Sequence, residues 1–370
     1  MNVHLKDVHD AKLTARVGLA IADGDIHPRP KTPKSLYPYL SQRFQEHMAT
    51  FGMIPRHQYQ AGPAYPKGNP DASRRDSYPP NGLPPGSCLD FMRSQHLDAN
   101  NVEFGVLNAI TPAPGAAQNL DLSAALSRAL NEWQVAEWTE PEPRLKASIV
   151  VPYEDGPAAA AEIEHWAGNP HFVQVLLMSR TAEPLGQRRY WPIYEAAARN
   201  NLPIGIHAFG YGGFPVTGSG WPSYYIEEMS GHSQCCQAVL ASMVLEGVFE
   251  RFPTLKVVLI EAGFAWLPPL AWRLDQHAHK LKAELSHLKR QPSEIIREHV
   301  WLTTQPMEEP DIRRRHLADV CGWIGWDRLI FATDYPHWDF DDPAEALPIR
   351  IDEANRRALF RENARAVYGV

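Results

Sequence analysis

The chain has 370 residues and a formal net charge of −7, with 44% hydrophobic and 21% charged residues. This composition is typical of a globular protein and excludes disordered and collagen-like chains. A pI near 6.1 without a basic run argues against nucleic acid as a partner, and no run approaches the ~20 apolar residues of a membrane span. The amino-terminal segment lacks the apolar core of a signal peptide and cysteines are few, so we expect a reduced cytoplasmic protein.

Short, nearly continuous apolar runs recur along the chain, at residues 17–27, 102–111, 145–153, 172–180, 202–209, 255–263, 299–306 and 328–337. Such runs are typical of strands buried on both faces of a parallel sheet. Helical patterns follow most of them, at residues 120–138, 156–168, 190–200, 233–252 and 343–369. Strands alternating with helices predict a single (β/α)₈ TIM barrel over residues 1–370. A doubly wound open sheet is the alternative, although no GxGxxG follows the first strand.

Two long connections interrupt this alternation. Residues 31–100 hold one predicted helix, at 35–52, and then a run rich in Pro, Tyr and Gly. We interpret this insertion as a lid or an oligomer arm, with plain surface coil as the alternative. Residues 208–232 follow the fifth strand and are rich in Gly and aromatic residues, which is typical of a substrate loop.

Possible metal ligands stand at the carboxyl ends of several predicted strands. In a barrel these ends converge on one mouth, so residues distant in sequence meet there. Two of them are two residues apart on an extended strand and therefore point the same way. Carboxylate and imidazole together suit Zn²⁺ or another first-row divalent metal. The residues concerned are Asp25, His27, His207, Glu261, Asp334 and His337.

Four segments, ADGDIHPRP, PIGIHAFG, LKVVLIEAGFAWLPPLAWRLD and RLIFATDYPHWD, resemble the amidohydrolase superfamily. The similarity is to the amidohydrolase-related branch that contains aminocarboxymuconate-semialdehyde decarboxylase. This resemblance implies a distorted barrel holding one divalent metal, and a homodimer. The branch includes nonoxidative decarboxylases of aromatic or muconate-type acids, hydrolases and hydratases. By motif position, the implied metal ligands are Asp25, His27, His207 and Asp334.

The chain departs from the branch at two positions. The first ligand is often His or Glu there and is Asp25 here, which is shorter than Glu by one methylene. The sixth strand of the branch's decarboxylases usually ends in a catalytic His, whereas Glu261 stands here. Two-metal members of the superfamily use a carbamylated Lys on the fourth strand. Because no Lys occurs between Lys146 and Lys256, the resemblance implies a mononuclear site. We expect Zn²⁺, with Mn²⁺ as the alternative.

Three functions fit these residues. The first is hydrolysis, in which Asp334 is the base for an activated water, Glu261 is a second acid/base or holds His207, and His337 donates to a developing oxyanion. The presence of Glu261 where the branch's decarboxylases have His favours hydrolysis. The second is metal-dependent decarboxylation, with Asp334 as the acid that protonates the ring carbon. The third is a noncatalytic barrel used for binding or assembly.

The substrate is expected to be a small aromatic or unsaturated carboxylic acid derivative. Arg180, at the end of the fourth strand, could anchor a carboxylate in a bidentate pair, or could be an ordinary surface arginine. Aromatic residues flank the candidate ligands, and among them we select Tyr211 and Trp221 as substrate contacts. Ordinary core and loop packing is the alternative for these aromatic residues.

Overall fold

The computed structural model describes residues 18–52, 72–208, 215–308 and 315–370. Within these residues eight strands pair in parallel, in chain order, into one sheet. The strands are β1 Ile21–Ile26, β2 Val102–Leu107, β3 Leu145–Val150, β4 Phe172–Met178, β5 Ile204–His207, β6 Val257–Ile260, β7 Val300–Thr303 and β8 Leu329–Ile330. Nearly every strand residue is buried, which explains the continuous apolar runs. The predicted (β/α)₈ TIM barrel is confirmed.

Helices connect the strands and pack against them. They are α1 Gln42–Phe51, α2 Leu89–Met92, α3 Leu120–Gln134, α4 Gly156–Trp166, α5 Trp191–Arg199, α6 Tyr225–Leu245, α7 Val248–Arg251, α8 Leu267–Lys280, α9 Pro292–His299, α10 Arg315–Ile324, α11 Glu353–Arg357 and α12 Asn363–Tyr368. In the described ranges, none of the helices combines the length and the apolar character that a membrane crossing requires.

The barrel closes between β1 and the irregular segment that follows β8. The His27 amide donates to the Tyr335 carbonyl at 2.8 Å, and the Asp334 amide donates to the Asp25 carbonyl at 3.1 Å. β8 has only two residues, so these bonds replace a regular ladder at the carboxyl end of the strand. The closure therefore places the last candidate ligand directly beside the first two.

The opposite end of the barrel is filled with apolar side chains. Ala22, Phe104 and Val173, near the beginnings of their strands, form one buried cluster with Val367 and Tyr368 of α12. A separate and larger cluster lies between the strands and the surrounding helices. Because the amino-terminal end is plugged in this way, the candidate ligands lie at the opposite end, where the strands end.

The helix predicted over 120–138 is present as α3, and its N-cap, Asn119, accepts the Leu122 amide at 3.1 Å. The prediction for the last helix was wrong about where it begins. The helix predicted over 343–369 begins only after Asp352, which caps α11. Residues 343–350 contain two prolines, which lack the amide proton that a helix interior needs.

The insertion is packed onto the barrel where the structure describes it. The helix predicted over 35–52 is a 3₁₀ segment, Pro33–Tyr39, followed by α1, because Pro38 interrupts the regular pattern. The Trp338 amide donates to the Ala72 carbonyl at 2.7 Å, and the Arg29 amide donates to the Gly86 carbonyl at 2.8 Å. Residues 53–71 lie outside the described residues, and the lid and oligomer-arm readings stay predictions.

We predict that Gly86→Ala destabilises the protein much more than Gly82→Ala. Both glycines have positive φ, of +72° and +75°, so a side chain costs about 1–2 kcal/mol at either position. A methyl group at Gly86 would also stand 2.4 Å from the His27 carbonyl oxygen, whereas Gly82 has open space around it. Thermal unfolding of the two variants measures the difference. Equal losses would show that the contact with His27 does not matter.

Candidate active site at the mouth of the barrel

The four side chains that the resemblance implies as ligands lie together. His27 Nε2 is 3.1 Å from Asp25 Oδ1 and 2.9 Å from Asp334 Oδ1. His207 Nε2 is 3.4 Å from Asp25 Oδ2. At most 4% of each side chain is exposed, so the group is shielded from water. Strands from the two ends of the chain thus bring these groups to one point.

Hydrogen bonds from neighbouring residues fix how both imidazole rings are oriented. His27 Nδ1 lies 2.8 Å from the Asn108 carbonyl oxygen, and His207 Nδ1 contacts the Ala208 carbonyl oxygen. A carbonyl only accepts, so each Nδ1 donates to it and each Nε2 points toward the carboxylates. Burial alone would lower the pKa of His27, but the charges of Asp25 and Asp334 raise it well above its ordinary value. Asn108 Nδ2 also donates to Asp25 Oδ1 at 2.8 Å.

Glu261 joins this group from the end of β6. Its backbone has φ of +53°, a conformation that is uncommon outside glycine, and its amide donates to Thr303 Oγ1 at 3.0 Å. This conformation brings Glu261 Oε2 to 3.3 Å from His207 Nε2. Burial, together with the negative charge of Asp334, raises the pKa of the Glu261 carboxyl well above its ordinary value.

Asp334 also has a positive φ, of +61°, and lies at the centre of several contacts. His337 Nδ1 is 2.6 Å from its Oδ1, and Gln305 Nε2 donates to its Oδ2 at 3.2 Å. Burial alone would raise the pKa of Asp334, but the adjacent His337 and His27 rings lower it overall. The surroundings therefore favour the ionised form of Asp334 and the protonated form of Glu261.

We refer to Asp25, His27, His207, Glu261, Asp334 and His337 as the donor cluster. Among the described residues, four of its atoms are buried without a hydrogen-bond partner: Asp25 Oδ2, His27 Nε2, His207 Nε2 and Glu261 Oε2. One ligand atom from each of these four residues lies within 4.8 Å of the others. Leaving such groups unsatisfied is costly, and a cation bound by Asp25, His27 and His207 would satisfy three of these atoms. Glu261 Oε2 would then lie beside the cation. This mixture of nitrogen and oxygen donors fits a divalent first-row metal.

Several residues around the donor cluster were missed by the sequence reasoning. Asn108 and Gln305 stand at the ends of β2 and β7, so the strand-end rule that found the ligands could have found them as well. Asp339 and Glu308 lie in loops that carry no such signal. Burial and the charge of Asp334 raise the pKa of Asp339 to about 8. Glu308 accepts the Phe264 amide at 3.0 Å and so holds the loop after Glu261.

The predicted substrate contacts are less closely gathered. Arg180 is only 7% exposed, and its Nη1 lies 3.7 Å from Glu228 Oε1 on α6, so it is not an ordinary surface arginine. Burial, together with the positive charges of Arg180 and His207, lowers the pKa of His232 to about 3. Trp221 is 51% exposed. Tyr211 lies outside the described residues.

A cavity of about 660 Å³ lies beside the end of β4. It is bordered by Ser179 and Thr181, on either side of Arg180, and by Cys235 and Val239 of α6. Its lining is mostly apolar. Among the described residues that line it there is neither Arg180 nor a member of the donor cluster, so the cavity does not show where a substrate would meet the predicted carboxylate anchor.

We expect the protein to bind close to one equivalent of a divalent metal, and His207→Ala to bind much less. His207 supplies one of the unpartnered nitrogen atoms, so its loss removes a ligand while leaving the barrel intact. His299→Ala is the matched control, because His299 is equally buried but bonds to the Leu255 carbonyl away from the donor cluster. Elemental analysis after dialysis against Mn²⁺ or Zn²⁺ gives the stoichiometry. Equal metal content in both variants would argue against His207 as a ligand.

Comparisons with known proteins agree with the barrel fold. Gamma-resorcylate decarboxylase from Polaromonas sp. is 25% identical over 294 residues, covering 75% of this chain and 86% of that protein. The same enzyme from Rhodococcus jostii is 24% identical over 301 residues, covering 76% of this chain and 87% of its relative.

Solved structures share the fold at lower identity. The 5-carboxyvanillate decarboxylase from Novosphingobium aromaticivorans, complexed with manganese and 4-hydroxy-3-methoxy-5-nitrobenzoic acid, superimposes with a TM-score of 0.71 at 16% identity, covering 95% of this chain and 97% of that one. The sequence model of the amidohydrolase family matches residues 22–370. Because this match spans nearly the whole chain, the protein is a member of the amidohydrolase family.

Proposed function

We propose that the protein is a metal-dependent decarboxylase of a small aromatic carboxylic acid. The observation that carries the proposal is the set of four buried, mutually facing donor atoms that lack hydrogen-bond partners among the described residues. The decarboxylases among the relatives, at 24–25% identity, support decarboxylation as the reaction. Among the comparisons, hydrolysis, the first reading of the sequence, has support only from the superfamily name.

Asp25, His27, His207 and Asp334 would hold the metal, as the resemblance implies. When bound, a divalent cation supplies Lewis acidity toward the carboxylate and neighbouring hydroxyl oxygens of an aromatic acid. Manganese is bound in the structure of the Novosphingobium decarboxylase, so Mn²⁺ is the first metal to test and Zn²⁺ the second. Arg180 is the residue that we assign to binding a substrate carboxylate, because it is a buried cation at the end of β4, the strand that pairs with the end of β5 at His207.

Decarboxylation of an aromatic acid requires a proton for the ring carbon as the carbon–carbon bond breaks. Asp334 was our first assignment for this acid, but its lowered pKa makes it a poor donor. The raised pKa of Glu261 favours its protonated form, and its Oε2 lies at the donor cluster without a hydrogen-bond partner among the described residues, so we assign the proton transfer to Glu261. Asp334, oriented by His337 and Gln305, would remain an anionic ligand.

The first experiment is to incubate the Mn²⁺-loaded protein with 2,6-dihydroxybenzoate and with 5-carboxyvanillate, the acids suggested by the relatives. Release of CO₂ together with the decarboxylated phenol supports the proposal. A wider set of hydroxybenzoic acids follows if both are inert. Failure of the whole set, with metal bound, would reject an aromatic acid as substrate.

We predict that Glu261→Gln lowers kcat by about 10²–10⁴-fold, because the amide cannot transfer a proton. Glu261→His should retain much more of the activity, since an imidazolium can donate a proton at the same place. Metal content of both variants is measured in parallel, so that lost chemistry is distinguished from lost metal. Equal activity in wild type and Glu261→Gln would remove Glu261 from proton transfer.

We expect Asp334→Asn to abolish turnover while the fold persists. The neutral amide weakens the interaction with His27 and His337 and removes one anionic oxygen from the donor cluster. Circular dichroism checks the fold and product formation checks the activity. Asp319→Asn, a change in an exposed aspartate of α10, should behave as wild type. Wild-type rates in Asp334→Asn would remove this residue from the mechanism.

Hydrolysis is the second candidate, and Glu261 is the observation that favours it. A carboxylate at this position, once it has lost its proton, could act as the base for a water molecule. Reaction in ¹⁸O-labelled water separates the candidates. Hydrolysis incorporates the labelled oxygen into the organic product, whereas decarboxylation adds only a proton to that product. The homodimer and the cytoplasmic location stay predictions that solution mass measurement and cell fractionation would check.

A further inference from the structure

Asp23 is a buried carboxylate of β1 that lies just outside the donor cluster. Its Oδ1 accepts the Asp25 amide at 3.1 Å and the Thr333 amide at 2.9 Å. Its Oδ2 accepts the Thr333 hydroxyl at 2.5 Å and lies 2.8 Å from His96 Nε2. One carboxylate thus bonds to a candidate ligand residue on β1 and to the residue that precedes Asp334.

The strand geometry explains why Asp23 does not itself join the donor cluster. Asp23 and Asp25 are two residues apart, and on a regular strand their side chains would point the same way. The pairing of β1 with β2 shifts register between Asp23 and Ile26. As a result Asp23 faces His96 and Thr333, whereas Asp25 faces His27 and His207.

His96 connects this carboxylate to the insertion. Asn100 Nδ2 donates to His96 Nδ1 at 3.0 Å, so the proton of the ring is on Nε2 and is donated to Asp23. The His96 ring also stacks on Tyr335, with ring centroids 4.8 Å apart, and the Tyr335 hydroxyl donates to Gln95 at 2.8 Å. The end of the insertion therefore packs against the residue that follows Asp334.

We propose that Asp23 is a positioning residue that sets the relative placement of Asp25 and Asp334, with His96 as its link to the insertion. The inference rests on the proposed function, because those two residues act as ligands only if the donor cluster holds a metal. The Asp23 carboxylate ties together the two segments that supply them, across the point where the barrel closes. Second-layer contacts of this kind typically change metal affinity by 10–100-fold.

The test compares Asp23→Asn with Glu142→Gln. The Asn side chain would turn an NH₂ group toward His96 Nε2–H, leaving two donors face to face. Glu142 is a matched control: its carboxylate is only 8% exposed and pairs with Arg93 Nε at 2.9 Å, close to His96 in sequence, and with Arg144. These bonds of Glu142 involve no residue of the donor cluster, so we expect Glu142→Gln to affect stability alone.

Binding of Mn²⁺ to the intact chain is measured by titration calorimetry, and the visible spectrum of the Co²⁺-loaded protein reports ligand geometry. We expect Asp23→Asn to bind Mn²⁺ about 10–100-fold more weakly and to shift the Co²⁺ bands, whereas Glu142→Gln lowers only the unfolding temperature. Thr333→Val removes one of the four bonds to Asp23 and should weaken Mn²⁺ binding by a smaller factor, which keeps the test informative if Asp23→Asn does not fold.

The outcomes separate this inference from the proposed function. If the wild-type protein binds no Mn²⁺, Zn²⁺ or Co²⁺, the metal-dependent reaction fails and the role of Asp23 fails with it. If the wild type binds metal and both Asp23→Asn and Thr333→Val bind it equally well, Asp23 is not a positioning residue and the proposed function stands. Equal losses of affinity in Asp23→Asn and Glu142→Gln would also overturn the inference, since they would reflect general destabilisation.

Discussion

The burial of Asp25, Glu261 and Asp334 within reach of the His27 and His207 rings is the constraint on which the rest of the structure depends. Like charges brought together in a site shielded from water repel one another strongly, and the neighbouring imidazoles compensate only part of this cost. The pKa of Glu261 is raised because a neutral carboxyl relieves the repulsion. A divalent cation would relieve the repulsion more completely, and the Nε2 atoms of the two rings would serve as its ligands.

The barrel tolerates this concentration of charge because the polar mouth is separated from the apolar core. Val367 and Tyr368 of α12 fill the amino-terminal end of the barrel together with apolar strand residues, so the strands are anchored independently of the polar mouth. At the mouth, the positive φ of Glu261 and Asp334 is held by hydrogen bonds to neighbouring strands. Backbone strain at these two carboxylates is therefore supported by a rigid frame, which is the arrangement expected where geometry serves function.

The sequence predicted the barrel and the donor cluster because both depend on strand ends. Continuous apolar runs identify buried parallel strands, and Asp25, His27, His207 and Asp334 follow from where those runs stop. The helix over 343–369 was overextended because its apolar spacing outweighed the prolines in its first half. Asp339 and Glu308 could not be found, since their loops reach the mouth only through tertiary contacts. The register shift that turns Asp23 away from Asp25 has no local sequence signal, because strand periodicity predicts one shared face.

Within the proposed function, the protonation preference of Glu261 distinguishes decarboxylation from hydrolysis; the presence of a carboxyl group alone does not. A carboxyl group can serve as a base for water or as an acid toward carbon, and the surroundings select between these roles. Here burial and the charge of Asp334 favour the protonated form, whereas a base near neutral pH needs the ionised one. Arg180, buried at the end of β4, is the cation that we assign to an anionic substrate group. A carboxyl that favours its protonated form and a cation for a carboxylate are the reasons for proposing the loss of CO₂ rather than the attack of water.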